Sequence, residues 1–204
     1  MRVVFLGNAP ASVASLERLE RSTNYIALVV TRAPRPAGRG GRPRATPVAE
    51  AARRLGLPLA EVETVKDGPG FEAIRDARPD VLVVVAYGEI IRRAVLDLPR
   101  IAPVNVHFSL LPRLRGADPV RRAIRDGLDT TGVTTMRMDE GLDTGPVLLQ
   151  REAPSLPDDD AGALGERRSR LGAELLVDTL DALERGEITE RPQDDTLATR
   201  APKL

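Results

Sequence analysis

Short apolar runs and helical apolar periodicity alternate along the first half of the chain. Residues 2–7 and 25–30 are apolar runs of the kind found in buried parallel strands, and residues 80–86 form the most apolar run, which we expect near the centre of a sheet. Between the first two runs, residues 11–21 repeat apolar side chains at helical spacing, with Ser12 as the expected N-cap. A strand, a helix and a strand in this order open a doubly wound α/β fold.

The rest of the chain continues this alternation. Thr46-Pro47 and Asp118-Pro119 each place a capping side chain before a proline, which is the usual opening of a helix. The further expected elements are helices at 47–55, 70–77, 118–126 and 161–185 and strands at 57–60, 103–108, 131–138 and 146–151. The last two strands should form an antiparallel pair at the sheet edge. We therefore predict a Rossmann-like, doubly wound, mostly parallel sheet with helices on both faces and antiparallel edge strands.

One segment, residues 31–47, has no periodicity. It holds five Arg, four Pro and three Gly and no acidic residue, so it cannot add to a hydrophobic core. We expect a surface loop without regular structure. The arginines permit two interpretations, a solvated linker or a basic loop that contacts nucleic acid.

Composition narrows the function classes. The chain has 30 basic and 30 acidic residues, which argues against a purely electrostatic nucleic-acid binder, although residues 1–60 alone carry ten Arg and three acids. The absence of Cys excludes disulfides and zinc sites built on sulfur, and the single His excludes a two-imidazole metal site within one chain, so we expect no metal. We expect no membrane span, because no apolar run approaches ~20 residues. The chain enters a strand at once, which suggests no signal peptide and a cytoplasmic location.

The residues with the clearest chemical potential lie at the end of the strand predicted at 103–108. Strand alternation puts Asn105 and His107 on one face, at the carboxyl end where ligands bind in such sheets. An Asn amide can donate to an oxyanion and a His can carry a proton near neutral pH. A carboxylate that orients the imidazole is available from Asp143, within the glycine-flanked turn 141–145. Taken alone, these residues fit a structural histidine and an ordinary turn aspartate better than they fit a catalytic pair.

The order of several motifs is more specific. The NVHFSLLP segment at 105–112, Arg115-Gly116 after it, and the GLDTG turn at 141–145 together resemble the folate-dependent formyltransferase family. The resemblance covers nearly the whole chain, and within the family it is greatest to the N-terminal catalytic domain of methionyl-tRNA formyltransferases. The other segments that carry it are 36–40, 86–88, 113–123, 138–145, 197–199 and 201–203.

This resemblance implies a formyltransferase fold and a reaction. A primary amine would attack the formyl carbonyl of the co-substrate 10-formyltetrahydrofolate, without a metal. Asn105 and His107 would hold the oxygen of the tetrahedral intermediate, His107 would take part in proton transfer, and Asp143 would set its orientation and charge. The folate-binding residues implied are Tyr87, Gly88, Ile90, Ile91, Leu96, Ser109, Leu110, Leu111, Pro112, Met138, Asp139, Glu140 and Gly141.

The resemblance also implies partners and a domain plan. The acceptor end of initiator methionyl-tRNA would be contacted by Arg39, Arg42, Arg113 and Arg115. Residues 1–188 would form the catalytic domain and 189–204 a linker or tail, while the C-terminal tRNA-binding barrel of the family would be absent from this chain. We expect a monomer.

Two departures and two alternatives remain open. Phe108 stands where the family usually has Gly and would narrow the amine entrance, and Leu114 stands where it usually has Trp. A single-domain formyltransferase acting on glycinamide ribonucleotide or an amino sugar is the first alternative. An enzyme for glycinamide ribonucleotide would need a glycine-rich loop whose N–H groups bind the phosphate. In residues 7–12, however, Pro10 removes a backbone donor. The second alternative is a non-catalytic folate- or RNA-binding module that keeps the fold.

Overall fold

Strands and helices alternate along the chain as the hydrophobic pattern predicts. The computed structural model describes residues 1–36, 41, 43–155 and 160–203. The chain divides into two units, Met1–Pro103 and Val104–Leu204, each with its own buried apolar residues. Among the described residues, no helix is both long and apolar enough to cross a membrane.

The first unit contains the parallel part of the fold. In chain order its elements are β1 (Arg2–Gly7), α1 (Val13–Glu20), β2 (Tyr25–Arg32), β3 (Arg35–Pro36), β4 (Pro43–Arg44), α2 (Pro47–Arg54), β5 (Leu59–Val62), α3 (Gly68–Ala77), β6 (Val81–Val85) and α4 (Arg93–Leu96). The strands β5, β2, β1 and β6 are neighbours in this order, and all three pairings are parallel. Every residue of β6 is buried, as its unbroken apolar sequence requires. The predicted α/β fold class is thereby confirmed.

Capping chemistry explains where two helices begin. The side chain of Thr46 accepts a hydrogen bond from the Ala49 N–H at 3.0 Å, which confirms it as the N-cap of α2. The prediction for Ser12 is wrong, because its hydroxyl donates to the Val85 carbonyl at 2.6 Å instead of capping α1. The strand predicted at 57–60 lies two residues later, as β5, and the four-residue α4 is too short for its periodicity to reveal it.

The described part of the basic segment 31–47 is more regular than expected, while residues 37–40 and 42 lie outside the described residues. β2 continues to Arg32, and β3 pairs with β4 in antiparallel register, with Arg35 opposite Arg44. The prediction that this segment lacks regular structure is therefore wrong for these residues. Proline is compatible with such a two-stranded pairing, because it has no backbone N–H and the outer edge of each strand requires no hydrogen bond to a further strand.

The second unit contains the antiparallel strands. Its elements are β7 (Ala102–His107), which begins at the boundary, then α5 (Pro119–Arg125), β8 (Thr130–Arg137), β9 (Val147–Pro154) and α6 (Ala161–Glu184). β7 pairs with β8 and β8 pairs with β9, both antiparallel, and α6 packs against β8 and β9. The predicted antiparallel pair of β8 and β9 is confirmed. Asp118 precedes α5 as predicted, but its side chain makes no capping hydrogen bond.

Phe108 is accommodated by a glycine on α6. A Cβ placed on Gly172 would lie 3.2 Å from the Phe108 ring and 3.0 Å and 3.3 Å from Val106 and Val133. The Phe108 side chain is buried in this space, with the residue 8% exposed. Its bulk thus fills the interior, which removes the reason to expect a narrowed amine entrance.

This contact predicts opposite effects of one substitution at two positions of α6. Gly172→Ala should lower the free energy of unfolding by about 1–2 kcal/mol, because three side chains must move to admit the methyl group. Gly165→Ala should raise it by about 0.5–1 kcal/mol, since the nearest atom to its Cβ, on Val120, is 3.9 Å away and alanine favours the helix. Urea denaturation of both variants checks this, and equal effects would contradict the packing described.

Candidate active site

The carboxylate of Asp143 lies between Asn105 and His107. Its Oδ1 accepts a hydrogen bond from Asn105 Nδ2 at 3.3 Å. Its Oδ2 accepts one from the Gly116 N–H at 2.8 Å and lies 3.7 Å from His107 Nδ1. The side chains of His107 and Asp143 are only 7% and 12% exposed, so little water screens any interaction between them. The structure thus brings the three predicted catalytic side chains together.

The strand β7 explains how two of these side chains meet. Asn105 pairs with Met136 and His107 with Thr134 in the antiparallel ladder with β8. Residues two apart on a strand share a face, so the amide and the imidazole both reach Asp143. His107 is the last residue of β7, which places it where the strand gives way to a loop.

A backbone carbonyl fixes the other edge of the imidazole. His107 Nε2 lies 2.9 Å from the carbonyl oxygen of Leu114, and a carbonyl can only accept, so this nitrogen carries a proton. The Leu114 carbonyl is held in place because its residue adopts a left-handed φ of 59°, its N–H donates to Thr199 Oγ1 at 2.9 Å, and its side chain is buried with Ala123 and Ala201. Nδ1 is therefore the ring nitrogen that faces Asp143.

The turn that carries Asp143 is fixed at several points. Asp143 itself has a left-handed φ of 55°. Asp139 Oδ1 accepts from the Gly141 N–H at 3.0 Å and from Thr144 Oγ1 at 2.7 Å. Gln193 donates to the Asp143 carbonyl at 2.9 Å. The predicted folate residues Asp139 and Gly141 thus shape this turn directly.

Two side chains that sequence reasoning missed hold the loop after β7. Thr134 Oγ1 donates to the Ser109 carbonyl at 2.7 Å and accepts from the Leu111 N–H at 3.1 Å. Gln150 Nε2 donates to the Leu111 carbonyl at 2.8 Å, and Ser109 Oγ donates to the Arg113 carbonyl at 2.6 Å. The Thr134 and Gln150 contacts join β8 and β9 to this loop. No local sequence motif identifies these two residues.

The predicted folate-binding residues belong to both units, and their exposure differs. In the first unit Tyr87, Ile91 and Leu96 are buried, whereas Gly88 and Ile90 are exposed. In the second unit the exposure falls into three groups: Ser109 and Leu111 are buried, Leu110, Pro112 and Met138 are half-buried, and Asp139, Glu140 and Gly141 are exposed. Leu111 packs with Met136 and Val147. Their role toward folate stays a prediction.

Tyr87 has a measurable pH signature. Burial, aided by the Glu89 carboxylate, raises the pKa of Tyr87 to about 12 from the ordinary value of 10.0. The fold therefore favours the neutral phenol, and this stabilisation is complete below pH 10 and is lost as the pH rises through 12. Between pH 9 and 11, wild type should lose about 1 kcal/mol of unfolding free energy more than Tyr87→Phe. Urea denaturation at both pH values checks this, and equal losses would contradict it.

The four predicted tRNA-binding arginines have different surroundings. Arg39 and Arg42 lie outside the described residues. Arg113 is exposed. The Arg115 side chain is only 11% exposed, and its guanidinium donates to Gln193 Oε1 at 2.8 Å and to Asp195 Oδ1 at 2.7 Å. Arg115 is thus engaged within its own unit, where an external phosphate would have to displace these partners.

Comparison with known proteins identifies the family of this chain. A family profile described as formyl transferase matches residues 1–180. The chain belongs to the formyl transferase family. The methionyl-tRNA formyltransferase of Roseiflexus sp. (strain RS-1) is 49% identical over 98% of this chain and 62% of that protein. That of Citrifermentans bemidjiense is 44% identical over 100% of this chain and 64% of that protein. The chain therefore spans somewhat less than two thirds of the length of these relatives.

Solved structures of formyltransferases share the fold. Glycinamide ribonucleotide transformylase 1 from Geobacillus kaustophilus is 30% identical, with a TM-score of 0.71 over 89% of this chain and 97% of that one. The corresponding enzyme from Symbiobacterium toebii has a TM-score of 0.77 at 21% identity, over 95% and 94% of the two chains. The second likeness concerns the fold alone. The expected formyltransferase fold is confirmed.

Proposed function

We propose that this formyltransferase moves the formyl group of 10-formyltetrahydrofolate to the amino group of methionyl-tRNA. The observation that carries the proposal is the half-buried Asp143 carboxylate between the Asn105 amide and the His107 imidazole. The identity of 44–49% to methionyl-tRNA formyltransferases supports this acceptor. The reaction places the chain in the cytoplasm, where aminoacylated tRNA is found.

The geometry divides the work among three groups. The amine nitrogen forms a bond to the formyl carbon, and Asn105 donates an N–H to the oxyanion that develops. His107 Nδ1 takes the proton that the amine loses, while its Nε2–H stays on the Leu114 carbonyl. The Asp143 charge at 3.7 Å stabilises the resulting imidazolium. Nδ1 then gives the proton to the folate nitrogen as its bond to the formyl carbon breaks, so protons balance.

The alternative acceptor, glycinamide ribonucleotide, has one observation in its favour. The Geobacillus kaustophilus enzyme is matched over 97% of its length. Against it, the loop after β1 offers few donors for a phosphate. Pro10 has no N–H, and the side-chain NH₂ of Asn8 already donates to the Tyr87 carbonyl.

The acceptor is tested by formyl transfer from 10-formyltetrahydrofolate to three amines in parallel. We expect product with methionyl initiator tRNA and a steep loss of rate as salt rises, because arginines such as Arg39, Arg42 and Arg113 would contact phosphates. Product only with glycinamide ribonucleotide or an amino sugar nucleotide would assign a small-amine enzyme. Donor binding without transfer to any amine would indicate a binding module.

A further inference from the structure

The side chain of Gln193, in the segment after α6, contacts the turn that carries Asp143. Its Nε2 donates to the carbonyls of Asp143 and Gly145, at 2.9 Å and 2.7 Å. Its Oε1 accepts from Nε and Nη2 of Arg115, at 3.0 Å and 2.8 Å. One primary amide thus uses both donors and both lone pairs of its oxygen.

These bonds close a ring around Asp143. Arg115 directly precedes Gly116 in the chain, and the Gly116 N–H donates to Asp143 Oδ2 at 2.8 Å. Gln193 therefore fixes the backbone of Asp143 to the segment that supplies the donor for the Asp143 carboxylate. The turn needs such support, because a left-handed φ of 55° is unfavourable for a residue with a side chain.

Gln193 is itself held from both sides along the chain. Arg191 exchanges two backbone hydrogen bonds with Val147 at the start of β9, at 2.8 Å and 2.9 Å. Downstream, the Thr199 carbonyl accepts from the Arg115 N–H at 2.8 Å, and the Ala201 N–H donates to the Arg115 carbonyl at 2.7 Å. The amide of Gln193 thus acts from a fixed position rather than from a free tail.

We propose that Gln193 is a positioning residue that holds the Asp143 carboxylate against His107 and the Gly116 N–H, with Arg115 as its partner. The inference rests on the proposed function for its effect on turnover, and on contacts alone for its effect on geometry. The ion pair of Arg115 with Asp195 is a lesser part, since the Asp195 side chain is 81% exposed and exposed pairs contribute little.

Kinetics of three variants test the positioning role. Gln193→Ala should lower kcat roughly 10- to 100-fold with a small change in KM for the formyl donor, because misplacement of a reacting group acts on the chemical step. Gln193→Glu should lower it at least as much, since a carboxylate would face the carbonyls of Asp143 and Gly145 while keeping Arg115. Asp195→Asn should stay within about twofold of wild type, because it removes only the exposed ion pair.

A spectroscopic arm makes the test independent of activity. His107 is the only histidine in the chain, so its ring ¹⁵N signals need no assignment among several. In the Gln193 variants, the ring nitrogens of His107 and the Gly116 amide proton should shift, because the carboxylate that faces both has moved. In Asp195→Asn they should not.

The outcomes separate the two hypotheses. Unshifted His107 and Gly116 signals in folded Gln193→Ala and Gln193→Glu, or wild-type kcat in both, would overturn the positioning role. Shifts with a loss of transfer support it. If wild type transfers no formyl group, the proposed function fails, and the shifts alone decide whether Gln193 positions Asp143.

Discussion

Asp143→Asn is expected to lower turnover roughly 100- to 10,000-fold and to leave the affinity for the formyl donor nearly unchanged. The variant keeps the size of the side chain, and asparagine tolerates the left-handed φ of 55° well, so the turn should persist. What changes is the chemistry. The charge that stabilises a protonated His107 is lost. The new NH₂ faces either the Gly116 N–H, which is a donor, or the Asn105 amide, which must then rotate to present its oxygen.

Single-turnover formyl transfer and a direct titration of the donor measure the two quantities. Asp126→Asn is the matched control, because Asp126 pairs with Arg122 at 2.7 Å in an i,i+4 contact at the C-terminal end of α5, with the two side chains 30% and 31% exposed. That variant should transfer formyl at the wild-type rate, since such pairs contribute about 0–1 kcal/mol to stability. Wild-type turnover in Asp143→Asn would show that the carboxylate has no part in the reaction.

The sequence allowed the site to be predicted where a side chain carries the chemistry. Strand alternation put Asn105 and His107 on one face, the glycine-flanked turn offered Asp143 as the carboxylate, and the resemblance to formyltransferases joined the three. Asp143 lies 38 residues from Asn105 and accepts its hydrogen bond. The longer helices and strands were predicted from the spacing of their apolar residues. The short elements were missed or placed differently because four-residue α4 and two-residue β3 and β4 carry no measurable period.

The groups that support the site were not predictable, and the reason is physical. The Gly116 N–H and the Leu114 carbonyl are backbone atoms, and every residue type except proline offers both, so no pattern distinguishes them. Gln193 acts on a residue 50 positions away, from a segment whose turn-rich sequence has little periodicity. Such contacts depend on how the chain folds in three dimensions, whereas the catalytic side chains that they hold can be identified from the local sequence pattern.

Gly116→Ala is expected to lower the free energy of unfolding by about 2–4 kcal/mol. Gly116 has a φ of 127°, which L-residues rarely adopt, and a Cβ there would lie 2.6 Å from the Ala201 carbonyl oxygen. That carbonyl also accepts from the Asp118 N–H at 3.1 Å, so it cannot easily retreat. The backbone at 116 must shift, and its N–H moves away from the Asp143 carboxylate.

Gly127→Ala separates strain from collision. Gly127 also has a left-handed φ, 63°, but its Cβ would have no neighbour within 4 Å, so the variant should lose only about 1 kcal/mol and should keep wild-type turnover. Urea denaturation and formyl transfer of both variants provide the comparison. Equal losses of stability would mean that the φ penalty alone matters at Gly116. A destabilised Gly116→Ala with full turnover would mean that the Gly116 N–H is dispensable as a donor to Asp143. Loss of both stability and turnover would mean that the backbone at Gly116 serves the fold and the reaction together. The Ala201 carbonyl requires a glycine at this position, and the N–H of the same glycine donates to the Asp143 carboxylate.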